Sequence, residues 1–205
     1  MHFYDSVGPN PRVVRMFAAE RGIDLPKTMV DLRGGENRQP AYMAKNPAGQ
    51  LPALELDGGF VLAEITAICE YLDEITTSGT SLIGTTAQER AETRMWTRRM
   101  DLKVCEPLAN GFRFGEGLPM FQSRLRCLPE AAPGLKLVAQ DGLEWMEAHL
   151  SGDWLAGDRF TLADILLFAF LDFGGQVGQP LDPKFTKVNA WFQRVKARPS
   201  AAASA

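Results

Sequence analysis

The stretch Gln50-Leu51-Pro52-Ala53-Leu54-Glu55-Leu56, QLPALEL, runs directly into Asp57-Gly58-Gly59 and then into Phe60-Val61-Leu62-Ala63. An Asp-Gly pair between two apolar runs is a hairpin signal, so the segment reads as two antiparallel strands. Pro52 stands at the mouth of the first strand. Proline has no N–H to give to a ladder and is confined to strand starts, edges and bulges. The reading of this one residue decides what kind of sheet is present and what its free edge does.

Working outward, the upstream sequence alternates between strand and helix. MHFYD reads as a short strand, GPNP as a turn, and RVVRMFAAERG as a helix that stops at Gly22. KTMVDL reads as a second strand. Strand, helix and strand within about 30 residues make a right-handed βαβ unit. RGGENRQPAYMAKNPAG, residues 33–49, carries no clear periodicity. Beyond the hairpin, EITAICEYLDEI has Ile65, Ile68 and Leu72 on one helical face. The order βαβ-ββα is that of a thioredoxin-like domain, a four-stranded mixed sheet with helices on both sides.

Residues 78–86 are rich in Thr, Ser and Gly and read as a linker between a domain at 1–77 and another at 87–205. Everything downstream has helical spacing. QERAETRMWTRRMDLKVCEPL reads as one long helix. A second runs from about Met120 to Leu150 with bends near Pro129 and Pro133. TLADILLFAFLDFG is apolar nearly all round, as a helix at the centre of a bundle should be. Thr161 and Asp164 are spaced as a capping box for it, a structural role worth about 1 kcal/mol. KFTKVNAWFQRVKAR is a last amphipathic helix ended by Pro199, and AAASA reads as a frayed tail. The fold class is thus a thioredoxin-like α/β domain followed by an all-helical bundle.

Composition narrows the function. The 205 residues carry a formal net charge of −3, which lacks the basic field of a general nucleic-acid binder. No apolar run approaches the roughly 18 residues of a membrane span, and no secretory leader pattern opens the chain. Cys69, Cys105 and Cys127 are scattered and odd in number, which suits a reducing cytoplasm. With only His2 and His149, neither a metal site nor a Ser-His-Asp triad is expected.

Three motifs, in order and over nearly the whole chain, resemble the cytosolic glutathione transferases: NPAGQLPAL, LAEITAICEYL and WLAGDRFTLADI. The resemblance implies a cis bond before Pro52, with the main chain of Leu51 pairing to the cysteinyl part of glutathione as an added strand would. It implies a γ-glutamyl carboxylate site at Glu64, Ile65 and Thr66, where a helix N-terminus offers free amides and a positive dipole end. The family's usual Ser is Ile65 here, a loss of about one hydrogen bond, roughly 0.5–1.5 kcal/mol. Gln50, with Arg33 or Arg38, falls to the glycyl end.

A thiol of pKa about 8.5 also needs a donor to hold its thiolate. Family members use Tyr, Ser, Cys or Asn. The alignment offers Asn10 first, in the Pro-Asn pair of members that resemble disulfide reductases, and then Ser6 and Tyr4, with main-chain amides as a further alternative. Asn10 also suits a plain turn or N-cap role. Trp96, Arg99, Met100, Phe112 and Phe114 are candidates for a hydrophobic acceptor site, or else core.

The resemblance implies a homodimer that uses glutathione as co-substrate, without a cofactor or a metal. It would conjugate glutathione to hydrophobic electrophiles in detoxification, with peroxide reduction as a further activity. Glutathione-dependent disulfide reduction and a non-catalytic binding module are the alternatives.

Overall fold

The computed structural model describes residues 1–77 and 79–205. The expected linker begins at residue 78, outside the described residues. The chain forms two compact units, 1–82 with 199–205, and 83–198.

The first unit holds strands β1 (His2–Asp5), β2 (Lys27–Met29), β3 (Ala53–Glu55) and β4 (Val61–Leu62) in the order β2-β1-β3-β4. β1 and β2 are parallel, as a crossover through helix α1 (Pro9–Arg21) requires. β1–β3 and β3–β4 are antiparallel. β3 starts at Ala53, so Pro52 lies one residue outside the ladder and costs it no hydrogen bond. The thioredoxin-like expectation for this domain therefore holds.

Alternation along β1 sorts its two faces. Phe3 faces the core with Val13 and Phe17 of α1, Leu54, and Ile68 and Leu72 of helix α3 (Ile65–Ile75), all essentially inaccessible. Each such side chain contributes about 1.5–3 kcal/mol by burial. Tyr4 faces the other side, where its ring meets that of Tyr42 edge-on at 6.0 Å.

Tyr42 belongs to helix α2 (Pro40–Met43), which follows a 3-10 turn at Glu36–Arg38. These two elements occupy the region where the sequence carries no periodicity, because neither is long enough to show one. Helix α1 begins at Pro9, whose missing N–H is harmless in a first turn, and ends at Gly22 in the left-handed conformation at φ 66°.

Residues 79–82 group with the first unit rather than standing free as linker. Buried Arg21 pairs with Asp73 at 3.0 Å and donates to the carbonyls of Thr76 and Thr80. The Asp73 carboxylate also accepts from Ser81 and from the Leu82 amide.

The frayed tail is a correction. Residues Pro199–Ala203 form a helix, α10, with Ser200, Ala201 and Ser204 buried. Arg12 and Arg15 of α1 donate to the carbonyls of Ala201 and Ser204, and Glu20 accepts from Ser200. Small side chains let this segment lie close to α1, a tertiary gain that local sequence does not signal.

The second unit is helical: α4 (Ala87–Met100), α5 (Glu106–Phe114), α6 (Leu118–Phe121), α7 (Ala132–His149), α8 (Leu162–Gln176) and α9 (Thr186–Lys196). The single long helix expected at 88–108 is interrupted by a π-helical turn at Asp101–Cys105, where the Glu106 amide reaches back to Asp101. Pro107 explains it, since its ring cannot coexist with an α-helical carbonyl at Lys103. The displaced Lys103 carbonyl lies against Gly142 of α7, where any Cβ would overlap it.

The helix expected at 120–150 is likewise two, α6 and α7. They are separated by residues 122–128 and a 3-10 turn at Pro129–Ala131, with two prolines resetting the chain. α8 is the central helix, buried from Leu162 to Leu171. Its Asp164 carboxylate accepts from the amides of Leu155 and Thr161, the Thr161 hydroxyl and Trp191 Nε1, at 2.8–3.2 Å. Burial pushes that carboxyl up to about 6, while the four donors pull it the other way. Among the described residues no helix is long and apolar enough to cross a membrane.

Candidate functional site

The first unit carries a shallow open cleft lined by Asn10, Asn46, Gln50, Leu51, Pro52, Ala63, Glu64 and Ile65. Three structural features converge on it.

The first is the segment leading into β3. The Leu51–Pro52 bond is cis. Leu51 precedes the ladder, and its main-chain N–H and C=O make no hydrogen bond among the described residues. Gly49 sits at φ 61°, with Met43 Sδ, Arg38 Nη1 and the Asn37 carbonyl so close that a Cβ would not fit.

The second is the start of α3. Its N-cap is Glu64 at φ 68° and ψ 120°, the one described non-glycine residue with positive φ. Such a conformation costs on the order of 1–3 kcal/mol and clusters at functional sites. No described side chain caps the helix. The amides of Ile65, Thr66 and Ala67 have no acceptor within it, so donors and the positive end of the dipole face the cleft.

The third is the start of α1. Gly8 at φ 108° is its N-cap, again without a side-chain cap, and half-buried Asn10 lies in the first turn. Two uncapped helix starts thus open onto one cleft, an arrangement suited to a ligand with separated negative charges.

The other sequence candidates fall elsewhere. Ser6 is buried at 1% exposure and its hydroxyl donates to the Val30 carbonyl at 2.8 Å, so it does not reach the cleft. Tyr4 donates to Glu55, which also pairs with Lys45 at 2.9 Å, and the phenol is committed to that network. Arg33 is exposed and does not line the cleft. Arg38 lies nearer, with Nη1 at 3.3 Å from the Ala48 carbonyl.

Asn46 and Ala63 line the cleft without having been singled out. Asn46 was legible in principle as the first residue of NPAG: its Oδ1 accepts from the Ala48 amide and its Nδ2 donates to Gln50.

In the helical unit, Met100 is fully buried and is core, not pocket. Trp96 and Arg99 stand together, the guanidinium 5.3 Å from the ring centroid and 5.7 Å from that of Trp145. Phe112 packs edge-on with Phe121 and Phe173 and belongs to α5, beyond the π-helical turn that ends α4, the helix of Trp96. Phe114 is half-buried at the end of α5. Cys69 and Cys105 are fully buried, and burial raises both thiols well above their ordinary range, so neither is a ready nucleophile.

A thioredoxin-like sheet with a cis-proline edge beside two open helix starts, followed by a helical bundle, defines a class of glutathione-handling protein. Comparison with known proteins agrees. Residues 7–75 match the family model "Glutathione S-transferase, N-terminal domain" and residues 120–199 match "Glutathione S-transferase, C-terminal domain". Glutathione S-transferase 2 of Saccharomyces cerevisiae is 31% identical over 98% of this chain and 87% of its own length.

Among solved structures, a glutathione S-transferase domain-containing protein of Marinobacter aquaeolei is 36% identical at a TM-score of 0.92, covering 98% of this chain and 99% of its own. The Gtt2 structure from Saccharomyces cerevisiae is 32% identical, also at 0.92, covering both chains fully. The chain belongs to the glutathione S-transferase family.

Proposed function

We propose that this glutathione transferase conjugates reduced glutathione to small hydrophobic electrophiles, with Asn10 stabilising the attacking thiolate. The observation that carries the reading is the cleft in which Asn10, the unpaired main chain of Leu51 and the open start of α3 meet. Leu51 would pair with the cysteinyl residue and thereby set the sulfur near Asn10. The Asn10 amide and the α1 dipole would then favour the thiolate over the thiol. The amides of Ile65 and Thr66 would take the γ-glutamyl carboxylate, with Glu64 accepting from the ammonium group. Gln50 and the nearer cation, Arg38, would hold the glycyl end. Catalysis would then rest on thiolate stabilisation and proximity. The electrophile would lie beside that sulfur, and the working form would be a cytoplasmic homodimer with a detoxifying role.

Retention on immobilised glutathione, with turnover of an aryl halide, is the test. A wild-type protein that neither binds nor turns over sinks the reading. Asn10→Ala should lower kcat/KM by about 10-fold or more, the scale of one charge-assisted hydrogen bond. A change within about twofold would remove Asn10 from the role and leave main-chain amides as the donors. A second reading, glutathione-dependent disulfide reduction, draws on the Pro9-Asn10 pair at the start of α1. Preferential turnover of hydroxyethyl disulfide over the aryl halide would favour it.

A further inference from the structure

Three successive carbonyls precede Leu51, and each is held from behind by a side chain of residues 37–46. Arg38 Nη1 donates to Ala48 at 3.3 Å, Asn37 Nδ2 to Gly49 at 2.6 Å, and Tyr42 Oη to Gln50 at 2.7 Å. Asn46 Nδ2 adds a second donor to Gln50, at 2.9 Å, so both lone pairs of that oxygen are used. The Gln50 carbonyl and the Leu51 N–H belong to one planar peptide unit and point in opposite directions. Fixing the oxygen with two donors therefore aims the N–H. That N–H has no partner among the described residues and belongs to a residue lining the cleft.

We infer that Tyr42 is a positioning residue for glutathione: its hydroxyl, bonded to the Gln50 carbonyl, sets the direction of the Leu51 amide that binds the ligand. The inference rests on the glutathione reading of the cleft. Tyr42 itself does not line the cleft and is 5% exposed, so it acts only through Gln50. Burial pushes its phenol up to about 12, so the O–H remains a donor throughout the pH range of enzyme work. Its ring is braced edge-on by Tyr4, which fixes where the hydroxyl lies.

Without that donor the Gln50–Leu51 peptide is held by Asn46 alone and can rotate about its flanking bonds. The free protein then has to reorder the amide on binding, which weakens affinity without touching the reacting sulfur.

The test is Tyr42→Phe, which deletes one oxygen and keeps the ring. KM for glutathione should rise about fivefold, with kcat and the KM for the electrophile within about twofold of wild type. Calorimetric affinity for glutathione should fall by the same factor. A merely structural role would lower the unfolding temperature and leave the glutathione KM unmoved, and that result overturns the inference. In wild-type protein without ligand, the Leu51 amide should give one sharp 1H–15N resonance. Doubled or exchange-broadened signals would mean the peptide is not held, and would overturn the inference even if Tyr42→Phe fails to fold. A wild-type protein that does not bind glutathione overturns the glutathione reading and this inference together, whereas equal binding by wild type and Tyr42→Phe overturns this inference alone.

Discussion

Helices α8 and α3 begin in opposite ways. At α8 the amide and hydroxyl of the N-cap Thr161 and the amide of Leu155 donate to one buried carboxylate, Asp164, which also anchors Trp191 of α9. At α3 no side chain caps the start, the N-cap Glu64 is held at φ 68°, and the amides open onto a cleft. A closed start spends its hydrogen-bonding capacity inside the fold and yields stability. An open start keeps that capacity for a ligand, and the surrounding structure bears the strain. α4 is a third case, closed but exposed: Glu89 accepts from Thr85 and Thr86, and Thr86 Oγ1 accepts from the Glu89 amide at 3.1 Å.

The largest effect should come from opening the closed end. Asp164→Ala strands four donors in the core of its unit and should cost about 3–5 kcal/mol of stability, read from urea unfolding. Glutathione affinity of the protein that remains folded should not change. A loss below about 1 kcal/mol would mean the carboxylate is not the keystone of that helix start.

Relaxing the open end should do the reverse. Glu64→Gly accepts positive φ without strain and should raise stability by about 0.5–1 kcal/mol, while weakening glutathione binding by about 10-fold. A variant that gains stability and keeps full affinity would show that the strain serves no ligand.

The smallest effect is a pH dependence at α4. Its hydrogen bonds from Thr85 and Thr86 pull the Glu89 carboxyl from 4.5 down to about 2. A lowered folded pKa contributes stability that is present above 4.5 and lost as pH falls through about 2. The unfolding midpoints of wild type and Glu89→Gln should therefore differ near neutrality and converge in acid. A gap that persists unchanged would acquit the charge.

The same contrast explains what could be read from the sequence. The α8 start was legible because its capping residues are three apart, and the hairpin because Asp57-Gly58 separates two apolar runs. The Pro52 edge and the α3 start were legible through short motifs resembling a known family. What escaped depends on partners distant along the chain. The hydroxyl of Ser6 is consumed by Val30, and nothing near position 6 announces this. Arg33 and Arg38 are alike in sequence, and only the path of the loop brings Arg38 to Ala48. Tyr42 lies in a four-residue helix too short for periodicity, yet it holds the residue before Leu51. Met100 carries the same helical spacing whether it faces a pocket or the core.

The docking of residues 199–205 onto α1 has a consequence for biosynthesis. The Arg12 and Arg15 side chains leave the ribosome early, but the carbonyls they bind, at Ala201 and Ser204, emerge only after the helical unit has been made. At typical translation rates the gap is on the order of ten seconds. Through that interval the nascent N-terminal unit presents the bare flank of α1, the helix that carries Asn10, to whatever meets the emerging chain.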